Sequence, residues 1–160
     1  MCFIKPLNTN KMNEINIKRL GKDDVVVAQN LFLLLQEIFD VENVKIISAF
    51  YTEKLLENPN IIVFAAEHQE EIIGGLTAYV LPMYHSESAE IYIYDIAVKP
   101  KFQRIGVGKK LLATLSEYCR QNEIKEMFVQ ANEEDEHALD FYRSMHYKEA
   151  KVAHFTYNIL

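Results

Sequence analysis

Two glycines lie at the start of a helix-like segment, within the run Gln103, Arg104, Ile105, Gly106, Val107, Gly108 and Lys109. The run follows a strand-like segment over 90–98 and leads into a segment of helical apolar period that extends to Asn122. Glycine lets the backbone approach a ligand closely, and the free N–H groups of a helix's first turn favour an anion. The run therefore predicts a site for a phosphate-bearing cofactor. An ordinary strand-to-helix turn is the alternative interpretation.

Charge and spacing narrow the kind of anion site. The spacing matches neither a P-loop, which needs a lysine and a hydroxyl after its second glycine, nor a dinucleotide fingerprint, which needs a third glycine. A local cationic patch in a chain of net charge −6 indicates an anionic ligand at this turn. Five cations fall within twelve residues that contain no acid: Lys99, Lys101, Arg104, Lys109 and Lys110.

The elements that must position this turn alternate between strand and helix patterns. They predict an α/β (α+β) fold with a mixed sheet and helices on both faces. The predicted strands cover 14–19, 61–67, 71–81, 90–98 and 126–131, with one or two more within 147–159, and the predicted helices cover 23–39, 48–56, 107–122 and 135–145.

Length and composition favour a single globular domain over residues 14–160, preceded by a flexible lead-in over residues 1–13. No apolar run approaches the ~18 residues that span a bilayer, and residues 1–13 lack the pattern of a secretory signal. Cys2 and Cys119 form no framework, no Cys/His cluster has metal-ligand spacing, and we expect no metal. An isoelectric point near 5.4 disfavours nucleic acid as a partner, and we expect a cytoplasmic protein.

Two motifs resemble those of a known family. Gln103-x-x-Gly106-x-Gly108 resembles the acetyl-CoA motif of the GNAT acyltransferases, and Ala138 to Tyr142 is similar to that family's second motif. The order of elements matches from about residue 14 onward. The resemblance implies a GNAT-like fold, a central mixed β-sheet of six to seven strands flanked by about four helices, with acetyl-CoA as cofactor.

The same resemblance implies roles for the residues of the turn. The backbone of Gln103, Arg104, Ile105, Gly106, Val107, Gly108 and Lys109 would hold the pyrophosphate of CoA. Ile96, Ala97 and Val98 would pair with the pantetheine, and the Val98 N–H would polarise the thioester carbonyl. In the second motif, Ala138 would contact the cofactor and Tyr142 would protonate the departing thiolate. The alternative for Tyr142 is an aromatic residue of the core.

A narrower resemblance concerns the acceptor. The segments 78–82, 90–98, 129–131 and 154–155 are similar to the type I aminoglycoside 3-N-acetyltransferases. This implies acetyl transfer to the 3-amino group of an aminoglycoside, and a homodimer. His146 departs from the GNAT pattern, because it occupies a position where glycine is frequent after the last helix. We expect His146 in a left-handed conformation.

Acetyl transfer to an amine requires a group that binds the ammonium and takes its proton, and Asp95 is the candidate base. Strict alternation places Asp95 on the strand face of Ile91 and Ile93, where a carboxylate is unfavourable. A bulge after Tyr94 would turn it into a cleft instead. A structural Asp95 held by a salt bridge is the alternative.

Other residues are candidates for contacting a polycationic acceptor. They are Tyr79, Glu90, Tyr94, Glu134 and Asp135. The alternatives are cross-strand packing for the tyrosines and a solvated helix start for the acids before residue 136. The predicted function is acetyl transfer from acetyl-CoA to an aminoglycoside. A polyamine or a protein N-terminus is an alternative acceptor, and a non-catalytic acetyl-CoA-binding regulatory module is the alternative of a different class.

Overall fold

A computed structural model describes residues 14–159 of the chain, so the lead-in predicted over 1–13 lies outside the described residues. These residues form two compact units that divide between Gln130 and Ala131. The strands are β1 (Ile15–Arg19), β2 (Ile61–His68), β3 (Glu71–Pro82), β4 (Ala89–Val98) and β5 (Glu126–Val129). The helices are α1 (Val25–Ile38), α2 (Ala49–Glu57), α3 (Val107–Gln121) and α4 (Glu136–Ser144), with 3-10 turns at Lys22–Asp24 and Pro100–Phe102.

The sheet has five strands in the order β1-β2-β3-β4-β5. Neighbouring strands are antiparallel except β4 and β5, which are parallel, so the sheet is mixed as predicted. The expectation of six to seven strands is wrong for the described residues, because 147–159 contains no strand. Its apolar side chains alternate, but Val152, Phe155 and Tyr157 are exposed, and alternation without a hydrogen-bonded neighbour does not make a strand.

Helices cover both faces of the sheet in the first unit. On one face, Leu31 of α1 packs so closely over Gly75 of β3 that a Cβ at Gly75 would lie 2.5 Å from a Leu31 methyl. That face also contributes Val63, Ala65 and Ala97 to a buried cluster with α1. The opposite face carries fully buried Ile62, Leu76, Ala78, Ile91 and Ile93, and it packs against Leu111, Leu112 and Leu115 of α3. Cys119 of α3 is buried and its thiol is free.

The second unit contains α4 and the chain that follows it. The Asp135 carboxylate caps α4 by accepting a hydrogen bond from the Ala138 N–H at 2.9 Å. After the helix, His146 has a φ of 62°, which confirms the left-handed conformation expected where the family pattern has glycine. Arg143 bonds the Glu149 carboxylate at 3.1 Å and so ties the end of α4 to the segment behind it.

Candidate active site

A β-bulge in β4 decides where Asp95 lies. In the β3–β4 pairing, Thr77 is opposite Asp95 and Ala78 is opposite Ile93, so Tyr94 is an extra residue. Because opposite residues share a face and Thr77 and Ala78 lie on different faces, the bulge moves Asp95 to the face opposite Ile93. The bulge considered from the sequence is therefore present, and it removes Asp95 from the aliphatic face that strict alternation gives it.

Asp95 lies at the wall of a cavity of about 330 Å³ in the first unit. Partial burial raises the pKa of Asp95, and a hydrogen bond of 3.3 Å from the Thr77 hydroxyl opposes that rise. Among residues 14–159, Asp95 forms no ion pair, so the salt-bridged alternative is not found there. A half-buried carboxylate without a cation is suited to bind an ammonium group and accept its proton.

Three tyrosines in contact with one another lie on the sheet face that carries Asp95. Tyr79 is opposite Tyr92 in the β3–β4 register and two residues from Thr77. The Tyr94 ring makes edge contacts with Tyr79 at 5.5 Å and with Tyr92 at 5.9 Å between ring centroids. Partial burial raises the pKa of Tyr79, which therefore remains a hydroxyl donor. Glu90, two residues before Tyr92, lies further along this face, as the alternation predicts.

The sequence did not reveal the helical wall of this cavity. It is formed by Phe32, Leu35 and Gln36 of α1 with Phe39 and Val41 of the following loop. The side chain of Gln36 holds that loop by donating to the Lys45 carbonyl and accepting from the Lys45 N–H, each at 3.0 Å. The helical period of α1 marks Leu35 as inward-facing, but no local signal shows that its C-terminal turn meets Asp95.

The edge of β4 after Asp95 is open. Pairing of β4 with β5 ends at Ile93 opposite Val129, and in the described chain no strand continues it along residues 94–98. The Lys99 N–H donates to the Ile73 carbonyl at 2.8 Å, so the backbone N–H of Lys99 points toward β3. Since backbone groups alternate in direction along a strand, the N–H groups of Val98 and Ile96 face the open edge. An extended ligand can pair there as an added strand.

The glycine turn presents a second set of free backbone donors. Gly106 has a φ of 94° and Arg104 a φ of 62°, and alternating backbone conformations of this kind form an anion-binding concavity. Within α3, the Lys110 N–H is the first to find a carbonyl, that of Gly106. The N–H groups of Val107, Gly108 and Lys109 therefore have no acceptor in the helix. The position of this turn at the start of α3, next to the open edge, is as predicted.

The cations of this region do not act as one patch. Lys99 and Lys101 both pair with Glu71, at 2.8 and 3.0 Å. Lys110 donates to the Ile15 carbonyl. Of the five cations, only Arg104 and Lys109 are exposed and without an ion pair among the described residues. Arg104 and Lys109, the two cations predicted to contact the cofactor, are therefore the exposed ones that no acid of the described chain engages.

Gln103 differs from the other residues of the turn. Its backbone N–H donates to the Pro100 carbonyl at 3.2 Å, so the run of available backbone donors begins at Arg104. Its side-chain amide donates to the Val98 carbonyl at 2.9 Å. The prediction that the Gln103 backbone holds an anion therefore needs correction, because a sequence motif does not show which N–H groups its own turn consumes.

The second unit carries the remaining predicted residues. Burial raises the pKa of Tyr142 to about 12, with smaller contributions from Tyr147 and Asp135, so Tyr142 keeps its proton throughout the neutral range. The Tyr142 ring lies 5.7 Å from that of Tyr147. The Ala138 N–H is occupied by its bond to Asp135, while Glu134 is exposed. Residues 14–159 contain no cluster of side chains suited to a metal ion and no helix long and apolar enough to cross a membrane.

Comparison with known proteins defines the class of the chain. A model of the Acetyltransferase (GNAT) family matches residues 29–147. The chain therefore belongs to the GNAT family, and it is an acetyl-CoA-dependent N-acetyltransferase. The motifs at residues 103–108 and 138–142 both lie within the matched range, and the predicted family and the predicted type of fold are confirmed.

Three proteins illustrate its nearer relatives. The chain is 28% identical to an uncharacterized N-acetyltransferase, YhfO, of Bacillus subtilis (strain 168), over 91% of this chain and 98% of the relative. It is 39% identical to the aminoglycoside acetyltransferase meta-AAC0020 from an uncultured soil metagenomic sample, solved in complex with sisomicin, with a TM-score of 0.90 over 93% and 99% of the two chains. A soil metagenomic aminoglycoside acetyltransferase, HMB0005, is 30% identical, with a TM-score of 0.86 over 91% and 99%.

Proposed function

We propose that this enzyme transfers an acetyl group from acetyl-CoA to the 3-amino group of an aminoglycoside, and thereby confers resistance to it. The carrying observation is the bulge at Tyr94, which puts an unpaired Asp95 carboxylate at the wall of a 330 Å³ cavity on the tyrosine face. The likeness to meta-AAC0020, which was solved with sisomicin, supports an aminoglycoside acceptor because it extends over nearly the whole of both chains.

The chemical groups at the open edge of β4 and at the glycine turn suit acetyl-CoA as the acetyl donor. An open strand edge at Ile96, Ala97 and Val98 suits the amide groups of pantetheine, and the free N–H groups at 104–109 suit a pyrophosphate. Arg104 and Lys109 are the cations left to meet phosphate charge. Bound acetyl-CoA supplies an activated acetyl group as a thioester.

Each proton of the proposed transfer has a named acceptor or donor. The Asp95 carboxylate binds the acceptor ammonium and takes one of its protons, which leaves a neutral nitrogen lone pair to attack the acetyl carbonyl. The Val98 N–H donates to the carbonyl oxygen as negative charge develops on it. As the C–S bond breaks, Tyr142, whose high pKa keeps it protonated, supplies the proton that the departing sulfur needs. The acylated nitrogen gives up its second proton, which passes through solvent and restores the Tyr142 hydroxyl.

The proposed acceptor contacts combine aromatic faces with acids. Tyr79 and Tyr94 offer ring faces and hydroxyl groups to a sugar, while Glu90 adds a second carboxylate on the same face as Asp95. Glu134 and Asp135 remain proposed contacts for further amines. In Asp135 only one carboxylate oxygen is used by the helix cap, so the other is available.

The oligomeric state, the cellular location and the extent of the domain are proposed from the likeness to the family. We propose a cytoplasmic homodimer and a single acetyltransferase domain over residues 14–160, since the family model spans 29–147. Sedimentation equilibrium of the purified protein checks the dimer.

A panel of acceptors tests the proposed substrate. Release of CoA thiol is measured with acetyl-CoA and, in turn, sisomicin, spermidine and a peptide with a free N-terminus. We expect the highest kcat/KM with sisomicin and a single product whose NMR spectrum places the acetyl group on the 3-amino nitrogen. A higher value with spermidine or the peptide would assign the enzyme to one of those acceptors. Acetyl-CoA binding without CoA release from any of them would favour the regulatory module.

A further inference from the structure

The side chain of Gln103 bonds to the end of β4 across the loop that precedes the glycine turn. Its amide donates to the Val98 carbonyl at 2.9 Å. Val98 is the last residue of β4, and Gly74 opposite it is the last partner in the pairing with β3. Strand ends fray unless other bonds hold them. The Val98–Lys99 peptide is held at both ends, because the Lys99 N–H also donates to the Ile73 carbonyl at 2.8 Å.

This bond has a consequence for the open edge of β4. The Val98 N–H and carbonyl both face that edge by strand alternation. With the carbonyl engaged by Gln103, the Val98 N–H is the group of this residue that is left for a ligand. The Gln103 amide has two N–H groups, and the Val98 carbonyl engages one of them. A side chain turned to place both groups on a phosphate would leave that carbonyl without this partner.

We infer that Gln103 is a positioning residue for the acyl-donor site. The Gln103 side chain holds Val98 in place by bonding to the Val98 carbonyl, and it does not bind phosphate. The inference rests on the proposed function for the meaning of Val98, whose N–H faces the acetyl carbonyl in that scheme. An acetyl donor that lacks the pyrophosphate distinguishes these two roles of Gln103. Positioning of Val98 affects the thioester end of the donor, whereas phosphate binding affects only the pyrophosphate end of acetyl-CoA.

Two variants test this with two donors. Gln103→Met keeps the length of the side chain and removes its N–H groups, whereas Gln103→Arg restores N–H donors. We expect Gln103→Met to lower kcat/KM about tenfold, mainly in kcat, with acetyl-CoA and equally with acetyl-pantetheine, as loss of one hydrogen bond predicts. Gln103→Arg should recover most of that loss with both donors. The positioning role would be overturned if Gln103→Met lowered kcat/KM with acetyl-CoA but not with acetyl-pantetheine. It would also be overturned if kcat/KM were unchanged with both donors.

Hydrogen exchange in the ligand-free protein gives an independent test. In Gln103→Met the Lys99 amide should exchange five- to tenfold faster, while the Leu76 amide in the middle of β3 keeps its wild-type rate. An unchanged Lys99 rate, or an equal increase at Leu76, would contradict local positioning of Val98. If wild type releases no CoA with any acceptor, the proposed function fails, and the exchange rates still decide whether Gln103 holds the strand end.

Discussion

Asp95 is held in an environment that disfavours its charge, and this has a consequence for stability. Burial raises its pKa in the folded state above the value of an unfolded chain, about 3.9. The folded state therefore binds a proton more tightly, and stability falls as the pH rises from the unfolded value through the raised folded value. Above that window the whole unfavourable contribution is present.

Asp95→Asn should therefore raise the free energy of unfolding at pH 7, and the gain should shrink as the pH is lowered through the raised pKa. Urea denaturation at several pH values measures it. Asp24→Asn is the matched control of opposite sign, because the Gly21 N–H and Lys18 lower the pKa of Asp24 and its stabilising contribution is present at neutral pH. Equal stability of wild type and Asp95→Asn at every pH would contradict this account of Asp95.

Thr77 should tune the pH at which the enzyme becomes active. Its hydroxyl stabilises the charged form of Asp95, so Thr77→Val should raise the pKa of Asp95 further. The acidic limb of kcat/KM against pH should then move to higher pH, because Asp95 as the proposed base must be ionised to take a proton. Thr77→Ser keeps the hydroxyl and should leave the limb in place. A limb that stays fixed in Thr77→Val would mean that another group controls it.

At the scale of elements, α1 and β3 are packed at a distance that only a missing side chain allows. A Cβ at Gly75 would lie 2.5 Å from Leu31 and 2.6 Å from the Phe64 carbonyl oxygen. Gly75→Ala should therefore lower the free energy of unfolding by about 1–3 kcal/mol through overpacking. Gly21→Ala is the control, because a Cβ there meets nothing within 4 Å and extended backbone accepts alanine. Chemical denaturation of both variants compares them, and equal stabilities would contradict the close contact.

The start of α3 should be equally sensitive, for a different reason. Gly108→Glu places a negative side chain where the free N–H groups of the first turn favour an anion. We expect it to abolish binding of acetyl-CoA, measured by calorimetry, while the far-UV circular dichroism stays that of wild type. Ala113→Glu adds the same charge on the exposed side of the same helix and should bind normally. Normal affinity in Gly108→Glu would place the cofactor elsewhere.

Local chemistry in the sequence predicted the elements that carry the donor site. The glycine turn, the bounds of β4 and the left-handed His146 follow from residue types and short-range spacing. The bulge was one of two options, since a sequence shows that Asp95 is unfavourable on an aliphatic face but not how the register relieves it. The cavity wall from Phe39 and Val41 depends on long-range packing of a loop, which no local pattern reports.

At the scale of the whole molecule, the net charge of the chain and the local charge of the glycine turn have opposite signs. The net charge is −6, yet Arg104 and Lys109 at the glycine turn are free to meet phosphate. An acidic protein attracts a polycation at long range, and salt screens that attraction. The KM for sisomicin should rise several-fold between 50 and 300 mM salt, while the KM for a monoamine acceptor changes little. Equal salt dependence for the two acceptors would argue against a polycation site.

The proposed reaction of this chain is the acetylation of an aminoglycoside amine with Asp95 as the base. The most direct measurement is CoA thiol release from acetyl-CoA and sisomicin by wild type and Asp95→Asn at the same pH. We expect turnover by wild type and a loss of about 10² or more in kcat for Asp95→Asn, with acetyl-CoA affinity unchanged. The absence of CoA release by wild type, or equal turnover by the two proteins, would contradict it.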